Sequence, residues 1–250
     1  MIHVHFTIDP ALRDLLPRNK RHGECDTVIT IRSALLDAVQ AQGIPHVEVA
    51  SLTRNGEPAT WNTLLEEGDR IEVLGWQPGE ARCDELGIAP SNPPAFLLDV
   101  HLGRLASYLR LLGFDTAYPR EDPGDPALVS QAVEEHRFLL TCDRHLLMHR
   151  ALRWGRCVRS RSPVEQAAEV LDALGLHDSA KPFTRCMECN GLLVPPSAEQ
   201  VRRESPPLVR LRLGLDPAHY KCCAECHRLY WPGTHWERMK KLLYRWGVGG

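Results

Sequence analysis

Two C-x-x-C pairs constrain the fold of this chain more tightly than any other feature. Cys186-Met187-Glu188-Cys189 and Cys223-Ala224-Glu225-Cys226 are separated by 33 residues. That is longer than a compact finger but suits a ribbon with an inserted loop. Each pair brings two thiolates to one tetrahedral ion, and zinc is the usual choice inside a cell. Two matched pairs favour closed four-sulfur coordination over a redox dithiol. Having no open position, such a site is structural and holds a segment too short to build its own core. Cys222 stands beside the second pair as an alternative ligand. The other cysteines, Cys25, Cys83, Cys142 and Cys157, are scattered, and the total of nine is odd. That pattern belongs to a reducing compartment rather than a disulfide framework.

The segment around these cysteines is also basic. Residues 181–250 carry 12 Lys+Arg against 6 Asp+Glu, a charge of +6, whereas 1–80 stand at −5 and 81–180 at −3. A basic module on an acidic chain calls for an anionic partner, most simply nucleic acid. Directly after the second pair come His227, Arg228, Tyr230, Trp231 and Trp236. Aromatics among cations are what stacking on unpaired RNA bases requires, which nominates Arg228, Trp231 and Trp236. The competing reading is that both tryptophans pack on the protein itself.

Residues 1–77 read as a small mixed sheet. Alternating strands are expected over Met1–Thr7 and Thr27–Ile31, then a helix over Ser33–Gln42 stopped at Gly43-Ile44-Pro45. Val47–Thr53 and Arg70–Leu74 follow as strands, with Asn55-Gly56 between them as a hairpin signal. The order resembles the β-grasp of ubiquitin-like and sulfur-carrier proteins. Those carriers end in a reactive Gly-Gly; here Gly249-Gly250 lies beyond a different module, so the β-grasp reads as a binding element, with another protein as a candidate partner. Breakers in 77–94 mark a linker.

Residues 95–178 alternate short apolar runs with amphipathic helices, as a parallel α/β sheet does. Strands are expected at Phe96–Leu98, Phe114–Tyr118, Phe138–Thr141 and Arg156–Ser160. Leu102, Leu105, Ala106, Leu109 and Leu112 share one helical face closed by Gly113. A helix opens at Asp125-Pro126 and runs through Glu135. Ser162-Pro163-Val164-Glu165 reads as a capping box starting a helix to about Leu174. The third module occupies 181–246.

Asp99, Asp125 and Asp143 each sit where a strand or loop yields to a helix. Any one of them suits an N-cap. In an open parallel sheet, however, the carboxyl ends of strands face a common crevice where ligands bind. Three carboxylates converging there repel one another unless a cation lies among them, and hard oxygen donors suit Mg²⁺ or Mn²⁺. Such an ion serves phosphodiester hydrolysis. No Walker loop, G-x-S-x-G elbow or H-E-x-x-H helix is present to compete. Arg104 and Arg110, six apart on the first helix and so on different faces, flank the acids as candidate phosphate contacts, and Arg144 is a third, heading a denser group that continues through Arg150, Arg153, Arg156, Arg159 and Arg161. The other reading of that group is an ordinary solvated face. His145 and His149 lack a third ligand for zinc.

The run from Phe96 through Leu98-Asp99-Val100-His101-Leu102-Gly103-Arg104 to Phe114-Asp115-Thr116 resembles the opening of the Mut-seven C-terminal RNase family, a branch of the PIN-like nucleases. Leu139-Leu140-Thr141-Cys142-Asp143-Arg144 is similar to its second signature, and Tyr230-Trp231-Pro232-Gly233-Thr234-His235-Trp236 to its ribbon. The resemblance covers about residues 95–240. It implies a PIN-like α/β nuclease domain preceded by a ubiquitin-like domain and followed by a zinc ribbon. It also implies a metal-dependent ribonuclease whose acids fall on Asp99, Asp125 and Asp143. One departure is His145, standing where PIN-like domains often carry a further acid; Asp122 or Glu121 is a candidate substitute, and the reading leaves one or two catalytic ions open. The alternative is a non-catalytic RNA-binding adaptor with a structural zinc ribbon. No apolar run can cross a bilayer and no basic-then-apolar leader is visible, so the expectation is a cytoplasmic protein.

Overall fold

The computed structural model describes residues 1–30, 33–84 and 88–249. The first part of the chain holds β1 (Ile2–Ile8), β2 (Glu24–Ile29), α1 (Leu35–Ala41), β3 (Val49–Arg54), β4 (Glu57–Ala59) and β5 (Arg70–Gly75). Then come β6 (Phe96–Leu98), α2 (Gly103–Leu111), β7 (Thr116–Ala117), α3 (Asp125–Glu134), β8 (Phe138–Thr141), β9 (Gly155–Cys157) and α4 (Pro163–Leu174). The last stretch holds β10 (Leu193–Val194), α5 (Ala198–Glu204), α6 (Pro207–Leu213), β11 (Lys221–Cys223), β12 (Leu229–Tyr230) and α7 (Thr234–Arg245). Two compact units divide the chain: Met1–Asn92 with Glu121–Arg159, and Pro93–Arg120 with the chain from Ser160 on.

In the first unit, alternation in β1 sends Val4, Phe6 and Ile8 into the core while His3, His5 and Thr7 face outward. That period of two is what a half-buried strand imposes. The sheet order is β2-β1-β5-β3-β4, with β1 and β5 parallel and the other neighbours antiparallel. This is the β-grasp topology, and α1 contributes Leu35, Ala38 and Val39 to the core. Asn55 and Gly56 both take positive φ, 56° and 86°, placing Arg54 opposite Glu57 as a two-residue hairpin requires. Thr27–Ile31, expected as a strand, begins three residues earlier, and its last residue, Ile31, lies outside the described residues, as does Gly250.

Residues 121–159 join this unit through specific bonds. His46 Nε2 meets the Leu152 carbonyl at 2.9 Å, Gln40 donates to the Met148 carbonyl at 3.0 Å, and the Cys157 N–H donates to Glu48 at 2.6 Å. Glu48 is buried and draws Arg156 and Arg159 to 3.6 and 3.5 Å. Within the segment β8 and β9 pair in parallel. Every residue of β8 is buried, the signature of a strand covered on both faces. The strand expected over Arg156–Ser160 is shorter and earlier, because after Val158 bonds the Thr141 carbonyl the chain turns toward α4.

The second unit pairs β6 with β7 in parallel. Phe96, Leu97 and Leu98 are fully buried, and so are Leu102, Leu105, Ala106, Leu109 and Leu112 behind them. Each such leucine contributes roughly 2 kcal/mol of transfer free energy. Gly113 ends the helix at φ 93°, and a Cβ there would lie 2.2 Å from the Lys181 carbonyl. Phe114–Tyr118 shrinks to two paired residues because Phe114 N–H bonds back to Leu109 and Thr116 N–H donates to the Asn190 side chain. The capping box at Ser162 does not form. Ser162 makes no side-chain cap bond, Pro163 occupies the first turn, and Glu165 pairs with Arg245. Arg245 belongs to α7, which buries Met239 and Leu243 and is followed by Trp246, whose indole N–H donates to the Val164 carbonyl at 2.9 Å. Among the described residues no helix is long and apolar enough to cross a membrane.

Candidate functional site

The two C-x-x-C pairs meet. Cys186, Cys189, Cys223 and Cys226 place their sulfurs within 4.8 Å of one another. Cys186 and Cys226 sulfurs are 3.6 Å apart, and those of Cys189 and Cys223 3.3 Å. Tetrahedral Zn–S bonds of about 2.3 Å require separations near these. Each pair is followed by a residue in left-handed conformation, Asn190 at φ 72° and His227 at φ 60°, so the chain folds back over its own thiolates. Their N–H groups bond the Cys186 and Cys223 carbonyls at 3.0 and 3.1 Å. Cys222 is set apart: its buried sulfur lies 2.8 Å from Gln200 Nε2, outside the four-sulfur group.

The thiols respond unequally to this crowding. Burial alone would push Cys186 up, but the Tyr230 hydroxyl at 3.0 Å and the N–H groups of Cys189 and Glu188 hold it at about 7. Burial and the neighbouring sulfurs push Cys226 to about 12. A dication among four sulfurs removes that conflict, because it ionises its ligands outright. The donor set therefore fits zinc. Three short antiparallel strands, β10-β11-β12, form the ribbon, and Val201, Tyr220, Cys222 and Leu229 make its small core.

Arg110, expected to contact phosphate, does something else. It is 6% exposed, and its Nε donates to the Thr116 carbonyl at 2.9 Å. Its Nη1 donates to the Met187 and Glu188 carbonyls at 3.3 and 2.8 Å. Its positive charge faces Cys186 and Cys189, which oppose the fall in pKa that burial causes. The residue ties α2 to the first cysteine turn and offsets charge there. Nothing local in the sequence could show this, because the partners lie 77 and 78 residues away.

Other expected RNA contacts fall in varied settings. Arg104 is exposed on α2. Arg144 is half-buried and donates to the Leu15 carbonyl. Arg228 is exposed with Glu188 3.6 Å away. Trp231 packs against the ribbon core, and Trp236 stacks on Phe183 with ring centroids 3.7 Å apart. The arginine group from 150 to 159 is largely spent on acids: Arg150 on Asp37, Arg153 on Asp84 at 3.8 Å, Arg156 and Arg159 on Glu48.

Asp99 directly follows β6 in the second unit, is 6% exposed, and accepts the His101 N–H at 2.8 Å. Asp143 stands two residues beyond β8 in the first unit, is exposed, and accepts the His145 N–H at 2.8 Å. Asp125 is the exposed first residue of α3, behind Gly124. Two of the three therefore follow buried parallel strands in the same two-residue turn, and each belongs to a unit with its own parallel pair.

The chain thus combines a β-grasp, parallel α/β elements and a four-cysteine ribbon. The family model described as the Mut7-C RNAse domain matches residues 94–243, and that described as Mut7-C ubiquitin matches residues 1–79. The chain belongs to the Mut7-C RNAse family, with a ubiquitin-like domain at its front. No curated protein and no solved structure matches it.

Proposed function

We propose that the chain is a divalent-cation-dependent ribonuclease whose acids are Asp99, Asp125 and Asp143. The observation that carries this is the shared setting of Asp99 and Asp143. Each comes just after a fully buried parallel strand and is oriented by one backbone N–H two residues on. Strand ends of that kind are where α/β sheets bind ligands. The donor set is carboxylate oxygen throughout, which suits Mg²⁺ or Mn²⁺. Such an ion supplies charge neutralisation and Lewis acidity toward the phosphodiester and water. The chain's own part is to fix the carboxylates: the His101 and His145 N–H groups hold one oxygen of each in place. The zinc ribbon, with exposed Arg228 and the α7 cations Arg238, Lys240 and Lys241, presents RNA, and the ubiquitin-like domain offers a protein-binding surface. The proposed division of labour takes the chain as domains at 1–77, 95–178 and 181–246, in a cytoplasmic setting.

A second reading has one specific observation in its favour: the same N–H contacts are those of helix caps. On that reading the chain is a non-catalytic RNA-binding adaptor. The purified full chain, offered a panel of single-stranded and structured RNAs, is expected to cut at least one with Mn²⁺ or Mg²⁺ and none without. An adaptor would instead bind RNA with a steep salt dependence that divalent ions do not alter.

A further inference from the structure

Tyr244, in the last turn of α7, is the one aromatic side chain that the fold leaves in water. It is 83% exposed, and every other Phe, Tyr and Trp among the described residues is buried or half-buried. The tryptophans that the sequence nominates for stacking are occupied by the protein itself: Trp231 packs on the ribbon core and Trp236 lies against the Phe183 ring. Aromatic rings stabilise a fold through the area they bury, and Tyr244 buries little. Its backbone is nonetheless well fixed. Met239 and Leu243 are buried on the inner face of α7, the Trp246 indole bonds the Val164 carbonyl, and Arg245 pairs with Glu165. The ring therefore stands on the outer face of an anchored helix.

That face is cationic. Lys240 and Lys241 precede Tyr244 by four and three residues, the spacings that make side chains neighbours on a helix, and Arg238 precedes Lys241 by three. Lys240 pairs with Glu237 at 3.2 Å, whereas Arg238 and Lys241 make no ion pair among the described residues. Cations beside an open ring match a strand with an anionic backbone and uncovered bases. A duplex hides its base faces, and an anionic lipid surface meets the cations but brings no planar ring. We propose that Tyr244, Lys241 and Arg238 form a binding site for single-stranded RNA, with a base stacked on the phenol ring and the adjoining phosphates on the two cations. The site rests on RNA as the ligand, which the ribonuclease and the adaptor share, and it directs the chain to unpaired segments.

Fluorescence anisotropy on the zinc-loaded full chain, without added divalent ions, tests this apart from cleavage. The probes are a labelled oligouridylate, an RNA duplex and vesicles containing anionic lipid. Tyr244→Ala should weaken oligouridylate binding about fivefold or more, leave duplex binding unchanged and keep the slope of log affinity against log salt. Tyr244→Trp should retain full affinity, and both variants should keep wild-type zinc content and circular dichroism. Lys241→Ala should instead reduce the salt slope for oligouridylate by about 0.7, the share of one phosphate contact. Wild-type affinity for oligouridylate in Tyr244→Ala, an equal loss on duplex, or Tyr244-dependent binding confined to the vesicles overturns the proposal. If wild type binds neither RNA, the reading of RNA as ligand falls with it; if wild type binds and Tyr244→Ala binds equally well, only the stacking site falls.

Discussion

Replacing Cys223 by serine is expected to strip the zinc and unfold the ribbon. Cys223 is fully buried, and its sulfur lies 3.3 Å from that of Cys189. The ribbon's own core is four buried residues with a few half-buried neighbours, far too little to hold a segment of this length. Structural zinc in small modules is worth on the order of 10 kcal/mol or more of coupled folding free energy. The damage should not stop at the ribbon. Arg110 would lose the Met187 and Glu188 carbonyls and be left buried on α2 with only the Thr116 carbonyl. Leaving such a charge short of partners costs several kcal/mol, so the helix that follows Asp99 should loosen as well. Metal analysis should find one zinc per chain in wild type and none in Cys223→Ser, and limited proteolysis should then cut within 181–246. A variant that kept its zinc and its resistance to protease would show that the four sulfurs do not form the site.

The second large effect concerns the acids. Asp143→Asn and Asp99→Asn should each slow Mn²⁺-dependent RNA cleavage by about a thousandfold or more while leaving the fold intact. Asparagine is chosen because its side-chain oxygen can still accept the His145 or His101 N–H, and it caps helices about as well as aspartate does. The substitution removes charge and keeps the turn. If the aspartates serve only as caps, both variants should match wild type in stability and in RNA binding. Cleavage undiminished in both, with stability unchanged, would rule the carboxylates out of the chemistry.

Local signals in the sequence were strong where the structure is local. The strand Phe138–Thr141 lies where its apolar run predicts, and Asn55-Gly56 makes the hairpin turn its residue types require. The cysteine pairs announced their own convergence, and only the choice between Cys222 and Cys223 needed the fold. What the sequence hid depends on distant partners. The capping box failed because Glu165 is taken by Arg245, 80 residues on. The arginines from 150 to 159 look like a phosphate-binding stripe in the sequence, yet Asp37, Glu48 and Asp84 pair with most of them. Arg110 looked like a surface cation because nothing nearby in the chain predicts carbonyls from the cysteine turn. Charge counted along a chain reveals sign but not pairing, and pairing decides whether an arginine can meet a ligand.

Diffraction from crystals soaked in Mn²⁺, recorded where manganese scatters anomalously, tests the proposed chemistry most directly. The account predicts a manganese peak within coordination distance of carboxylate oxygens of Asp99 and Asp143, with Asp125 in its outer or inner shell, distinct from the zinc at the four cysteines. Soaked crystals with the zinc peak present and the three aspartates well apart, without manganese among them, would contradict it.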